Sequence, residues 1–417
     1  MQPRSGIDTL NTQVNFFARF SHLRKDSISM AVKLLFVDDE PDVESLMKMK
    51  FRRQIRDNLF DLVFARSGSE ALTKIGENPD VCLVLSDINM PEMDGLTLLQ
   101  RINELKNPLL KTVVVSAYGD MGNIRTAMNR GAFDFVTKPI DFTDLETTIQ
   151  KTLDHVQQTR MAIEEHDQLV SVRRDLNLAT RIQQSIVPRT FPAFPDRKEF
   201  DVYAEMITAK EVGGDFYDFF LLDDQHLALV VGDVSGKGVP AAIFMAMSRT
   251  LLRAVANQLR DPGECLIRVN DLLIPENKAS MFVTLFYGVL NTSTGELVYC
   301  NGGHHPPCRV RPDGTTELLE MIGGPFVGLL PDIVFESNTV EIKPGEKLFL
   351  YTDGVVEAND KEMNLFGDDR MVDHLKTNAG ESLQHIIKSM LDGLESFAQG
   401  APQADDITML ALKFEGV

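Results

Sequence analysis

Four aspartates of this sequence sit where a carboxylate can do metal or phosphate chemistry. Val231-Gly232-Asp233-Val234-Ser235-Gly236-Lys237-Gly238-Val239-Pro240 follows the apolar run Leu227 to Val231 and leads into a helix rich in Ala and Met. A carboxylate at the mouth of a strand, among small residues that keep the backbone close, can hold a divalent cation and a phosphate. Three further acidic turns of the same kind are Val212-Gly213-Gly214-Asp215, Tyr351-Thr352-Asp353-Gly354 and Asp405-Asp406-Ile407-Thr408. Each opens or closes a strand-like run, so four distant stretches are able to meet in one acidic pocket. Taken singly, each is also what an ordinary Asp-containing turn looks like. A phosphate loop of the NTPase kind is excluded at Gly232 to Lys237: three residues separate the glycines, and Gly238 occupies the place of the metal-binding hydroxyl. A second set of polar groups lies earlier, with Asp38 and Asp39, Asp87, Ser116 and Lys138 each at or just past the end of an apolar run.

The elements that must position these groups differ along the chain. At 417 residues the protein exceeds one typical core, and 43% hydrophobic with 25% charged residues is ordinary globular composition. The net charge of −19 disfavours nucleic acid as a partner and suits divalent cations. No apolar run reaches the roughly 20 residues of a membrane span, and Arg19 and Arg24 interrupt the only candidate leader. Cys82, Cys265, Cys300 and Cys308 lack metal-ligand spacing, which points to a reducing, cytoplasmic setting. Residues 1–30 have no sustained pattern, and Met30 is a candidate natural start, leaving the preceding arm disordered or an extension.

From residue 31 to 141, strands predicted at Lys33–Val37, Leu59–Ala65, Val81–Leu85, Thr112–Val115 and Phe133–Val136 alternate with helical patterns, the signature of a doubly wound five-stranded parallel sheet. Ligands of such a sheet sit beyond the carboxyl ends of its strands, where this second set of polar groups falls. Residues 142–190 have an apolar stripe (Leu145, Ile149, Leu153, Val156, Leu169, Val172, Leu176, Ala179, Ile186) and no Pro or Gly until Pro188. This predicts one long helix, or two in series. Such a stripe is buried either in a coiled-coil homodimer or by packing back on a domain. From 191 to 417 strands come in blocks: Val202–Ala209, Phe216–Leu221, Leu227–Val231, Met281–Leu290, Glu296–Cys300, Lys347–Tyr351 and Ile407–Phe414. Helices are predicted at Val239–Leu259, Pro262–Leu273 and Leu383–Phe397, an α+β pattern.

Asp38-Asp39, Asp87-Ile88-Asn89-Met90-Pro91-Glu92-Met93-Asp94-Gly95, Ser116-Ala117 and Thr137-Lys138-Pro139 resemble the receiver domain of bacterial response regulators. The resemblance implies that Asp87 accepts phosphate from a histidine kinase. It also implies one Mg²⁺ held by Asp39, Asp87 and the Asn89 carbonyl with help from Asp38. Lys138 and Ser116 would grip the phosphoryl group, with Phe135 as the aromatic that switches with Ser116.

The four later turns, with Asn301-Gly302-Gly303-His304-His305-Pro306-Pro307 and Gly324-Pro325-Phe326-Val327-Gly328, resemble SpoIIE/RsbU-type serine/threonine phosphatases of the metal-dependent type 2C (PPM) family. That implies two β-sheets face to face with helices outside. It also implies two Mn²⁺ or Mg²⁺ ions on Asp215, Asp233, Asp353 and Asp405, with the Val234 carbonyl assisting. Asp406 stands where eukaryotic relatives have Asn. His304 and His305 are weighed as donors to the leaving serine against a structural role, and Lys237 as a counter-charge against a phosphate contact. The implied substrate is a phosphorylated anti-sigma-factor antagonist, with no kinase activity. The alternative is a non-catalytic adaptor with a phosphorylation-switched docking surface.

Overall fold

Two strands show the two kinds of sheet that this sequence encodes. Val81–Asp87 is buried at every residue, as a strand covered on both faces must be, whereas Phe200–Ile207 alternates buried with more exposed positions. A computed structural model describes residues 31–117 and 119–416. The expectations for the 1–30 arm and for Met30 lie outside the described residues. The chain divides into two compact units, parting between Val170 and Ser171.

In the first unit, β1 (Val32–Val37), β2 (Phe60–Ala65), β3 (Val81–Asp87), β4 (Lys111–Ala117) and β5 (Asp134–Lys138) form a parallel sheet in the order β2-β1-β3-β4-β5. Between them run α1 (Pro41–Lys50), α2 (Arg52–Arg56), α3 (Gly68–Glu77), α4 (Gly95–Glu104) and α5 (Met121–Asn129). Ser67, Asp94 and Asp120 cap α3, α4 and α5 through their side chains, each cap being worth about 1 kcal/mol. The strand order reverses between β1 and β3, which opens a crevice beyond their carboxyl ends.

The stretch after β5 is a single helix, α6 (Phe142–Ile186), 45 residues long. The predicted linker boundary at 142 needs correcting. Leu145, Ile149, Leu153 and Val156 are buried in the same cluster as Leu34, Phe36 and Val113, so the first four turns of α6 complete the core of the first unit. Beyond them Leu169 and Val172 are 63% and 57% exposed, so the middle of the stripe is uncovered among the described residues.

The second unit is a sandwich. One sheet holds β7 (Phe216–Leu221), β8 (His226–Val234), β9 (Val283–Asn291) and β10 (Glu296–Gly302), with β13 (Gly323–Gly324) and β14 (Asn338–Glu341) both on β10. The other runs β12-β11-β15-β16-β6, from β12 (Thr316–Leu318) and β11 (Cys308–Val310) through β15 (Lys347–Tyr351) and β16 (Ile407–Phe414) to β6 (Phe200–Ile207). Strand parity builds two cores. Leu348, Leu350, Leu410 and Leu412 face the first sheet, while Phe349, Tyr351, Met409 and Ala411 face α10 (Gly367–Thr377) and α11 (Leu383–Ala398). The first sheet's outer face is covered by α7 (Val239–Ala256) and α8 (Pro262–Leu273). Although α7 has the length and mean hydropathy (1.3) of a membrane span, Phe244, Met245 and Leu252 are buried in the cluster it forms with the first sheet. Predicted edges coincide with the observed ones at β7, β15 and β16 and elsewhere differ by at most three residues, whereas β11 to β14, at four residues or fewer, escaped the period-2 pattern.

Candidate functional site

The acidic turns of the second unit meet at one end of the sandwich because each terminates or precedes one of its strands. Asp215 precedes β7, Asp233 is the penultimate residue of β8, Asp353 follows β15 at the start of α9 (Asp353–Val356), and Asp405 and Asp406 precede β16. Burial is the first cause that raises the pKa of Asp215, Asp233 and Asp353, and facing carboxylates are the next. Asp233, pushed up to about 7, feels Asp353 and Asp405; Asp215 feels Asp233; Asp353 feels Asp405 and Glu357. The carboxylates thus repel one another along a row.

Oxygens that would otherwise be misdirected are held by neighbours. Thr352 Oγ1 donates to Asp215 Oδ2 at 2.6 Å and accepts from Thr408 N at 3.0 Å, which fixes the orientation of the Asp215 carboxylate. Asp406 is buried and points away from the row. Its Oδ1 accepts from Ala209 N (2.8 Å) and its Oδ2 from Gly214 N (2.7 Å) and Asp215 N (3.4 Å), so it ties down the loop that delivers Asp215. Gln183, near the end of α6, holds the same loop from another side: its amide donates to Gly213 O at 2.7 Å and accepts from Gly213 N at 3.1 Å. The two glycines are steric requirements. A Cβ at 213 would lie 2.0 Å from Asp406 Oδ2, and one at 214 would lie 2.8 Å from the Val234 carbonyl oxygen.

Lys237 Nζ reaches Asp405 Oδ2 at 2.8 Å and the Ala404 carbonyl at 2.5 Å, so it is a counter-charge to the row. His304 is fully enclosed: Nε2 donates to the Tyr351 carbonyl at 3.0 Å, Nδ1 meets Thr284 Oγ1 at 3.2 Å, and burial lowers its pKa to about 3. It is a neutral structural residue. His305 is half-buried, packs its ring on Tyr351 at 5.5 Å and has no hydrogen bond among the described residues.

In the first unit Lys138 Nζ contacts Asp87 Oδ2 at 2.6 Å, Asp38 Oδ2 at 3.0 Å and Glu40 Oε1 at 3.4 Å. Burial disfavours the charge on Lys138, but Asp87 and Asp38 outweigh it and raise its pKa. Burial raises Asp38. Asp38, Glu40 and Asp87 offer ligand atoms within 4.8 Å of one another, and among the described residues no other acidic group closes so tightly. Asp39, expected among the ligands, is exposed and lies outside this group, which holds its equally exposed neighbour Glu40. Ser116 is buried with its hydroxyl unpartnered, Asn89 is exposed, and half-buried Phe135 packs against the cluster around Ile88 and Val114.

Comparison with known proteins places both units. Residues 34–150 match the response regulator receiver domain and residues 223–415 match Stage II sporulation protein E (SpoIIE). The chain carries a receiver domain followed by a SpoIIE-type domain. It is 36% identical over 270 residues to Protein IcfG of Synechocystis, covering 58% of this chain but only 41% of that protein. It is 27% identical to the phosphoserine phosphatase RsbU of Bacillus subtilis, covering 61% of this chain and 75% of RsbU. The SiaA-PP2C domain of Pseudomonas aeruginosa superposes with a TM-score of 0.53 at 21% identity, over 59% of this chain and 98% of that domain, which establishes the PP2C fold.

A divalent pair fits the SpoIIE-type site on its own evidence. The donors are hard oxygens, Asp353 Oδ1 is buried with no hydrogen-bond partner, and the row carries repulsion that a cation relieves. Sequence reasoning missed Thr352, Gln183 and Glu40. Thr352 and Glu40 were at least visible as neighbours of motif aspartates.

Proposed function

We propose that this protein is a metal-dependent serine/threonine phosphoprotein phosphatase gated by phosphorylation of its receiver. The observation that carries the reading is the row Asp215, Asp233, Asp353 and Asp405, delivered from four loops to one end of the sandwich with a buried, unpartnered Asp353 oxygen. These four carboxylates and the Val234 carbonyl would hold two Mn²⁺ or Mg²⁺ ions. Bound there, such ions ready a water for in-line attack on phosphorus and neutralise the phosphoryl oxygens. Thr352 aims Asp215 and Asp406 fixes its loop, so the ligands are positioned before an ion arrives. His304 has both ring nitrogens engaged and does not move a proton. His305, with both nitrogens open, is the residue of this loop suited to protonate the leaving serine.

In the receiver, Asp87 would take the phosphoryl group from a histidine kinase. Asp38, Asp87, Glu40 or its neighbour Asp39, and the Asn89 carbonyl would hold one Mg²⁺. Lys138 and the unpartnered Ser116 hydroxyl would grip the phosphoryl oxygens, and Phe135 would move with Ser116. The partners that suit this arrangement are a phosphorylated anti-sigma-factor antagonist as substrate and a second copy of the chain along α6. The setting is the cytoplasm, in keeping with four free cysteines.

The test is hydrolysis of p-nitrophenyl phosphate with Mn²⁺ by wild type, Asp233→Ala and Asp405→Ala, then of a phosphoserine antagonist with and without beryllofluoride. Loss of activity in both variants, and a beryllofluoride effect abolished by Asp87→Asn, are expected. Equal rates in all three proteins would instead favour a non-catalytic adaptor.

A further inference from the structure

The chain leaving α9 turns at once into a short hairpin, residues 358–366, bridged between Asn359 and Leu365. One bridge does not hold two strands together, so side chains supply the rest. Asp360 Oδ1 accepts from Glu362 N (3.0 Å) and Asn364 N (2.9 Å), and its Oδ2 accepts from Asn364 Nδ2 (2.9 Å). Arg370 donates to the carbonyls of Leu365 (3.0 Å) and Phe366 (2.7 Å), and Phe366 is buried in the core between the second sheet and its helices. At the tip, Met363 has φ +65°, a left-handed conformation uncommon for a residue of its size.

A turn held this firmly leaves its apolar side chains open: Met363 is 73% exposed and Leu365 53%. Neither gains much from folding, and the left-handed residue costs some stability. Asn359 Nδ2 donates to Met363 Sδ at 3.6 Å, so the exposed side chain is itself held in place. An ordered apolar tip suits recognition, because its freedom is already lost before a partner arrives. Its position points the same way. Glu357 lies close enough to raise the pKa of Asp353, and a Cβ at Gly400, in the segment leading to Asp405, would lie 4.0 Å from Lys361 Nζ. The hairpin thus stands beside the acidic row, next to the segments that deliver Asp353 and Asp405. Exposed charge around it is mostly acidic, with Glu357, Glu362, Asp368 and Asp369 set against Lys361 and Arg370.

We propose that Met363 and Leu365 dock the folded phosphoprotein beside its phosphoserine, on a patch that is apolar at its centre and basic at its edge. The proposal rests on the phosphatase reading above and adds a contact outside the acidic row. A site that reads only a phosphoryl group does not tell one phosphoprotein from another, so selectivity needs contacts away from phosphorus. The two apolar side chains supply such a contact, and the acidic surround favours basic partner surfaces and repels acidic ones.

The experiment compares kcat/KM of the full chain, with Mn²⁺, on a folded phosphoserine antagonist, a short phosphoserine peptide from it, and p-nitrophenyl phosphate. Wild type is expected to favour the folded protein over its peptide. In the double variant Met363→Ser, Leu365→Ser, kcat/KM on the folded protein relative to p-nitrophenyl phosphate falls about tenfold, mainly through KM, the scale of losing an interface anchor. The same ratio for the peptide stays within about twofold. Met363→Gly relieves the backbone and removes only the side chain, and it shows part of the fall; Met363→Leu keeps most of the wild-type ratio. Met49→Ser, at a receiver residue 69% exposed, leaves the ratio unchanged. A double variant with wild-type selectivity overturns the proposal, and if it also sediments as a smaller species, the tip faces a second copy of the chain instead. An equal fall on the peptide, or a wild type that prefers the folded protein no more than the peptide, overturns it as well. If wild type hydrolyses p-nitrophenyl phosphate no faster than Asp233→Ala, the phosphatase reading itself fails and the proposal with it.

Discussion

Asp406 offers the sharpest separation between a ligand and a scaffold residue. Replacing it by Ala strips two short hydrogen bonds, at 2.8 Å from Ala209 N and 2.7 Å from Gly214 N, and a longer one at 3.4 Å from Asp215 N. Hydrogen bonds to a charged group contribute about 1.5–3 kcal/mol each, so the two short ones amount to about 3–6 kcal/mol. Removing a negative charge that repels Asp215 and Asp233 offsets part of this, leaving a net loss of about 4 kcal/mol. Asn has the same shape but one acceptor. With its oxygen toward Gly214 and Asp215, its NH₂ opposes Ala209 N, and one unsatisfied buried donor costs about 2 kcal/mol. The chain has no Trp, so the assay is circular dichroism during urea unfolding together with amide exchange over residues 209–215. Expected stability runs wild type, Asn, Ala, with exchange in the loop accelerated in the same order. An Asn variant as stable as wild type, or an Ala variant within about 1 kcal/mol of it, would refute the role given to these bonds.

Gly354→Ala places a Cβ 1.9 Å from the Asp406 carbonyl oxygen and is expected to destabilise the SpoIIE-type domain by about 3 kcal/mol, read as a shift in its urea midpoint. Two titrations of opposite sign are expected in metal-free protein. His304, with its folded pKa lowered from 6.5 to about 3, binds a proton more readily when unfolded, so its contribution to stability declines as pH falls below 6.5, by about 1.4 kcal/mol per unit. Asp233, raised from 3.8 to about 7, does the reverse: stability present below pH 4 is lost as pH rises through 7. Since the slopes oppose, each is measured as the difference between wild type and its own variant, His304→Asn or Asp233→Asn, and a flat difference counts against the assignment. Mn²⁺ is expected to raise the melting temperature of wild type more at pH 7.5 than at pH 5.5, and EDTA to reverse it; no shift at either pH would count against a cation on the row.

What the sequence disclosed follows from what each feature is made of. The acidic row was legible because a strand end, a small residue and Asp are contiguous at Asp215, Asp233 and Asp353. The receiver sheet was legible because its strands carry apolar runs, longest in β3, at regular intervals between helical patterns. Gln183 was not, because its partner Gly213 is 30 residues away and a lone Gln on a charged helix looks like solvated surface. Asp406 was seen as an odd neighbour of Asp405, but its work on the loop at 209–215 depends on a fold contact across nearly 200 positions. The contact of Lys138 with Glu40 was not legible because the two lie 98 positions apart. The first four turns of α6 read as linker because a stripe with spacing of three or four does not say which surface will cover it.

Central strands with oil on both sides have no spare parity. Sliding Lys347–Tyr351 by a single residue would exchange the leucines meant for one interior with the aromatics meant for the other, and would swing Thr352 and Asp353 to the wrong end of their reach. Any chain that closes both interiors correctly has thereby aimed its carboxylates. Selection for a well-packed sandwich and selection for a converging row of carboxylates are, at this strand, the same selection.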